Sequence, residues 1–154
     1  MAATDYLGMA YVQKNVNVSL MAHEGCFSLR DIVTLVELKA IGVVGINSER
    51  PGGVTRALEA IDFARSRGLP AALHNQPLGI ASAMHIHLAA AKYDALELAT
   101  ELFGMVMFEH DLLKKPIDYS RGTAKLPSGP GWGVELDEAA LERYAAGATL
   151  ILKA

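Results

Sequence analysis

Four short apolar runs, spaced by segments of helical length and helical periodicity, constrain this chain more than any other feature. The runs are 16–22, 43–46, 69–73 and 96–102. Between them, Leu29, Ile32, Val33 and Val36 form one apolar face, Leu58, Ile61 and Ala64 a second, and Ile80, Ala83, Met84, His87 and Leu88 a third. Apolar residues at such spacing predict amphipathic helices, and compact β-branched runs between them predict buried strands. Strands separated by helices pair in parallel, so the chain is expected to be α/β, with a parallel sheet or part of a barrel. Ser28 and Asp31 make a capping-box pattern at one helix start. Arg65-Ser66-Arg67-Gly68 supplies the basic last turn and glycine stop of the next.

The ends of the chain are less regular. Residues 5–14 carry Leu7, Ala10 and Tyr11 at helical spacing but begin abruptly, like the tail of a helix. After Gly104 the alternation stops, and Pro116, Gly122, Pro127, Gly129, Pro130, Gly131 and Gly133 punctuate an irregular stretch. Short strands are expected at 125–127 and 132–136. A last helix capped by Asp137 should turn Ala140, Leu141 and Tyr144 inward, and 149–152 reads as a final strand or tail.

Composition narrows the functional classes. With 154 residues, 51% apolar and 20% charged, the chain is long enough for one real core. A net charge of −3 gives no basic excess for nucleic acid. No apolar run approaches membrane-spanning length. The N-terminus lacks a secretory pattern, so a cytoplasmic location is expected. Cys26 is the sole cysteine, which leaves neither an intramolecular disulfide nor a cysteine-based metal site.

Chemistry concentrates where the strands run out. Glu24, Asn47, His74 and Glu101 each stand at the C-terminal end of an expected strand. In a parallel array those ends share one face, and that face is where ligands bind. His74 opens the run His74-Asn75-Gln76-Pro77-Leu78-Gly79-Ile80, a strand-to-helix loop. Two carboxylates, an amide and an imidazole can hold a hard cation, transfer a proton and donate a hydrogen bond. Each residue also has a plainer reading: Glu24 and Glu101 as solvated acids, Asn47 as a turn former, His74 as a packed histidine. Their recurrence at successive strand ends favours function. His23, beside Glu24, is an alternative ligand. His85 and His87 do not share a helix face, and His87, on the apolar side, is expected to be the packed histidine. His110 reads as a solvated loop residue and Trp132 as a packing anchor. Gly52-Gly53 before a helix is a weak phosphate-binding signal, since the full dinucleotide fingerprint is missing.

Several stretches resemble the enolase superfamily, in its mandelate racemase and muconate lactonizing (muconate cycloisomerase) branch. These are Ile46-Asn47-Ser48-Glu49-Arg50-Pro51-Gly52-Gly53-Val54-Thr55, then His74, then Thr100-Glu101-Leu102-Phe103-Gly104, and the proline-glycine tail 126–136 followed by Asp137. The resemblance covers almost the whole chain. It implies strands five to eight of a (β/α) TIM-type barrel over residues 1–112, and over 113–154 the C-terminal tail that joins a capping domain. It implies Mg²⁺-assisted proton abstraction alpha to a carboxylate, in an isomerase, cycloisomerase or acid-sugar dehydratase. By position, Glu24 or His23 falls on a metal-ligand slot, and His74 on the base of the racemases. Asn47 falls where the racemases have an Asp and the cycloisomerases a base Lys, and Glu101 on the acid near the substrate carboxylate. The first four strands and two of the three usual metal-binding acids have no counterpart. An alternative is therefore a non-catalytic truncated half-barrel that folds as a homo-oligomer or with a partner supplying the missing N-terminal half.

Overall fold

The computed structural model describes residues 1–75 and 78–147. In chain order the elements are α1 (Tyr6–Lys14), β1 (Met21–Ala22), α2 (Leu29–Glu37), β2 (Val43–Ile46), α3 (Val54–Ser66), β3 (Ala71–Asn75), α4 (Gly79–Ala91), β4 (Glu101–Leu102), α5 (Gly104–Met107) and α6 (Glu138–Tyr144). A single 3₁₀ turn, Ser120–Gly122, lies between the last two. The strands form one parallel sheet in the order β1-β2-β3-β4, as the alternation required. The chain divides into two units, Met1–Asn75 with Leu88–Leu102, and Gln76–His87 with Phe103–Ala154.

The first unit holds the sheet and the main core. Val44 and Ile46 of β2 and Ala71 and Leu73 of β3 meet Ile32 and Leu35 of α2 and Ala57, Ala60, Ile61 and Ala64 of α3. Side chains alternate along a strand, so Gly45, Ala72 and His74 turn to the face opposite this core. Register sets Gly45 beside Ala72, and His74 beside Glu101. The α2 face runs through Ile32, Leu35 and Val36 rather than Val33. Ser28 caps α2 by accepting from the Asp31 amide and donating to Oδ2 of the same residue at 2.7 Å. Gly68, at φ 64°, ends the α3 turn in the left-handed region that glycine adopts without strain. Exposed ion pairs Arg67–Glu37, Lys92–Asp62 and Arg65–Asp94 join neighbouring elements. Each contributes at most about 1 kcal/mol.

Four expectations for this unit need correction. Residues 5–14 are a capped helix in their own right, since Asp5 accepts from the Gly8 amide at 2.8 Å. The first strand is only two residues long. Gln13 Oε1 takes the Leu20 amide at 2.7 Å and Gln13 Nε2 donates to the Val18 carbonyl, so this backbone is satisfied by a side chain instead of a ladder. The run 96–102 is a strand only at its end, because the Leu96 amide bonds back to Lys92 in a helical turn. The strand expected at 69–73 starts later, at Ala71, and reaches Asn75, so His74 lies inside β3. Pro70 has no N–H to donate to a ladder, although its carbonyl still accepts from the Val44 amide.

In the second unit, Gly79 packs so closely on Leu113 and the Asp111 carbonyl that a Cβ would lie 2.3 to 2.7 Å from their atoms. Only glycine fits there. Residues 125–127 form no strand. Of 132–136, only Leu136 pairs, in an isolated antiparallel bridge with Leu113. Asp137 does cap α6, accepting from the Ala140 amide at 3.0 Å. Ala140 is buried, but Leu141 and Tyr144 are exposed rather than inward. The tail expected at 149–152 lies outside the described residues. Among the described residues, no helix is long and apolar enough to cross a membrane.

Candidate active site

Parallel pairing of β3 with β4 aligns His74 with Glu101, and their side chains complete the contact. His74 Nδ1 lies 2.5 Å from Glu101 Oε2. The imidazole is 20% exposed and the carboxylate 53%. A carboxylate on Nδ1 holds the neutral ring in the tautomer with its proton on that nitrogen, leaving the lone pair on Nε2.

His23, just past β1, comes next. Its ring meets that of His74 edge to face, with centroids 4.2 Å apart. Nε2 lies 3.0 Å from the His74 carbonyl oxygen, and Nδ1 lies 3.2 Å from Glu24 Oε1. Burial, the facing His74 and the Arg50 guanidinium lower the His23 pKa, against an opposing pull from Glu24. The Glu24 carboxyl lies below the ordinary range. Burial, the largest single influence, acts to raise it, but its own backbone amide, His23 and Arg50 together outweigh that.

Asn47 takes up its plainer role first. Its Oδ1 accepts from the Glu49 amide at 2.8 Å and the Arg50 amide at 3.2 Å, folding the loop after β2 as an Asx turn. That turn carries Arg50 back, and its Nη1 donates to the His23 carbonyl at 2.7 Å. Asn47 thus reaches the cluster through the loop that carries Arg50. Arg50 is the participant that sequence reasoning passed over. The signal was present: a basic residue three positions beyond a strand-end Asn that can cap its own loop.

His85 and His87 belong to the second unit. His85, not His87, is the buried one, and its Nδ1 lies 2.8 Å from the Ala81 carbonyl oxygen. His87 instead faces the Trp132 carbonyl oxygen at 3.2 Å, with the two rings tilted at 5.6 Å. Trp132 is 39% exposed.

The resemblance implies Mg²⁺, and the donors of this chain do not suit it. Among the described residues no three His, Cys, Asp or Glu side chains gather as a metal group. Glu24 brings one carboxylate, 71% exposed and already turned to His23. Both nitrogens of His23 face protein acceptors. Mg²⁺ takes oxygen ligands in near-octahedral order and is held by carboxylates.

The parallel β/α array is part of a TIM-type barrel, as in the solved structure of 2-chloromuconate cycloisomerase from Rhodococcus opacus. The chain belongs to the Enolase C-terminal domain-like family, whose model matches residues 1–140. It is 32% identical over 141 residues to muconate cycloisomerase 1 of Rhodococcus opacus, covering 88% of this chain and 36% of that protein. It is 30% identical over 129 residues to L-Ala-D/L-Glu epimerase of Clostridium acetobutylicum, covering 83% of this chain and 36% of that one. The solved structure of N-succinyl Arg/Lys racemase from Bacillus cereus superimposes with a TM-score of 0.85 at 25% identity, covering 96% of this chain and 39% of that one. The chain therefore spans little more than a third of the length of these relatives.

Proposed function

We propose that this chain carries the proton-transfer side of an isomerase site acting on the carbon alpha to a carboxylate. The observation that supports this most directly is the His74 Nδ1–Glu101 Oε2 contact at 2.5 Å on paired strand ends. In the proposed step the substrate C–H bond breaks and a bond forms between that proton and His74 Nε2. The electron pair moves into the substrate carboxyl group, and Glu101 offsets the charge of the imidazolium. Proton delivery to the opposite face by a second acid, outside this cluster, epimerises the carbon. Loss of a β-oxygen substituent from the anion gives the lyase outcome or, where that oxygen belongs to a lactone ring, the reverse of cycloisomerisation. Asn47 serves by folding the loop that bears Arg50. No step is routed through Mg²⁺, because Glu24 and His23 do not make a fitting site by themselves. Cycloisomerase, epimerase and racemase relatives agree with chemistry at such a carbon.

The test is exchange of the alpha proton into D₂O, followed by NMR over a panel of carboxylates, with and without added Mg²⁺. Exchange that disappears in His74→Ala is the expected result. Absence of exchange for every substrate, or exchange that survives His74→Ala, overturns the proposal.

The sparse metal donors favour a second reading, a non-catalytic half-barrel. Among the described residues β1 and β4 each have one strand neighbour in the sheet, and an open parallel edge is a template for another strand. A second copy, or further strands from another chain, would extend the sheet. Sedimentation showing a folded monomer at micromolar concentration counts against such pairing. Calorimetry showing tight Mg²⁺ binding by the chain alone counts against the non-catalytic reading.

A further inference from the structure

His23 stands on a slot that the family resemblance gives to a metal ligand, yet its surroundings describe a different task. β2 lies between β1 and β3, and the His23 side chain passes over it to reach His74. The passage exists because β2 presents no side chain there. A Cβ on Gly45 would lie 2.7 Å from the Ala22 carbonyl oxygen and 3.2 Å from both His23 Cβ and Met21 Cγ. The register neighbour of Gly45 is Ala72, the smallest side chain available. His23 fills this gap with only 10% of its side chain exposed. It donates from Nε2 to the His74 carbonyl at 3.0 Å and sets its ring against the His74 ring. Its own backbone is held by Arg50 Nη1 at 2.7 Å, and its outer nitrogen is turned to Glu24.

Taking the proton-transfer reading of His74 as its premise, we propose that His23 is a positioning residue: a clip across β2 that fixes the main chain and ring of His74 against Glu101. A clip requires a hydrogen-bond donor at the reach of Nε2, not a metal-binding nitrogen. Glutamine keeps such a donor, asparagine is too short to deliver it, and leucine lacks it.

The test uses the full chain with His23→Gln, His23→Asn and His23→Leu. The first readout is the proton resonance of His74 Nδ1–H, which a carboxylate partner shifts downfield and which needs no turnover. The expected result is a sharp signal in the parent and in His23→Gln, and a broadened or lost one in His23→Asn and His23→Leu. The second readout is alpha-proton exchange, where His23→Asn and His23→Leu lower kcat by about 10²-fold at unchanged KM, with recovery in His23→Gln. If the leucine chain does not fold, the glutamine–asparagine contrast decides alone. A His74 signal unaltered in all three variants overturns the proposal. So does loss of measurable Mg²⁺ affinity in His23→Gln, which would make His23 a ligand. If no carboxylate exchanges but the His74 signal still depends on residue 23, the positioning role stands and the isomerase reading falls.

Discussion

His74 and Glu101 are register partners on β3 and β4, and their side chains meet at 2.5 Å. The contact joins residues 27 apart in the chain and sits half-open to solvent. Exposed pairs contribute little to folding, so under the proposed function the pair acts by orienting the His74 ring.

Glu101→Gln separates the two roles. The amide can still accept from Nδ1, but the charge is gone. Alpha-proton exchange should fall by about 10² to 10⁴-fold, the range of general acid–base catalysis. The free energy of urea unfolding should change by less than about 1 kcal/mol. A large loss of stability with exchange preserved would make the pair structural.

Tyr6 gives a pH signature. Burial, with the hydrogen bond to Asp31 and the charge of that carboxylate, pushes the phenol up to about 12; its hydroxyl donates to Asp31 Oδ1 at 2.8 Å. A folded-state value above the unfolded value of 10.0 means the contribution is fully present below that pH. It is lost as pH rises through the folded value, because the unfolded chain releases the proton first. Stability measured against pH should therefore fall more steeply between those values in the parent than in Tyr6→Phe. Tyrosinate absorbance should show one fewer late-titrating phenol in the variant, since burial also raises Tyr119 and Tyr144 in both chains.

Cys26 should be chemically silent in the folded chain. It is 3% exposed, its Sγ donates to the Ala22 carbonyl at 3.3 Å, and burial pushes the thiol up to about 12 despite the nearby Arg50. The thiolate is the nucleophile, so iodoacetamide at neutral pH should label the protein only as fast as it unfolds. Rapid labelling under native conditions would contradict this burial.

Leu35 tests the core on which the sheet rests. Its side chain is fully buried among the α2, α3 and β2 residues. Leu35→Ala should cost about 2–5 kcal/mol in urea unfolding, enough to loosen β2 and β3 together. A cost below about 1 kcal/mol, against that range, would show that α2 is not part of the cooperative core.

Period by itself determined the framework. Helical spacing and compact apolar runs placed α2, β2, α3 and α4 close to where they stand, and alternation with helices required a parallel sheet. Ser28 and Asp137 signalled their caps because a cap is a local bond. Periodicity did less well where local bonding was hidden: Gln13 occupies the backbone that would have lengthened β1, and the Lys92 carbonyl takes the Leu96 amide that a longer β4 would have used. The candidate residues were legible one by one from the strand ends, but their contacts were not. Alternation tells which side of a sheet a residue takes, whereas its neighbours depend on register across strands far apart in sequence. Only the tertiary structure brought Glu101 to His74, sent Asn47 to brace Arg50, and let His23 reach a residue 51 positions away over a strand where Gly45 leaves room.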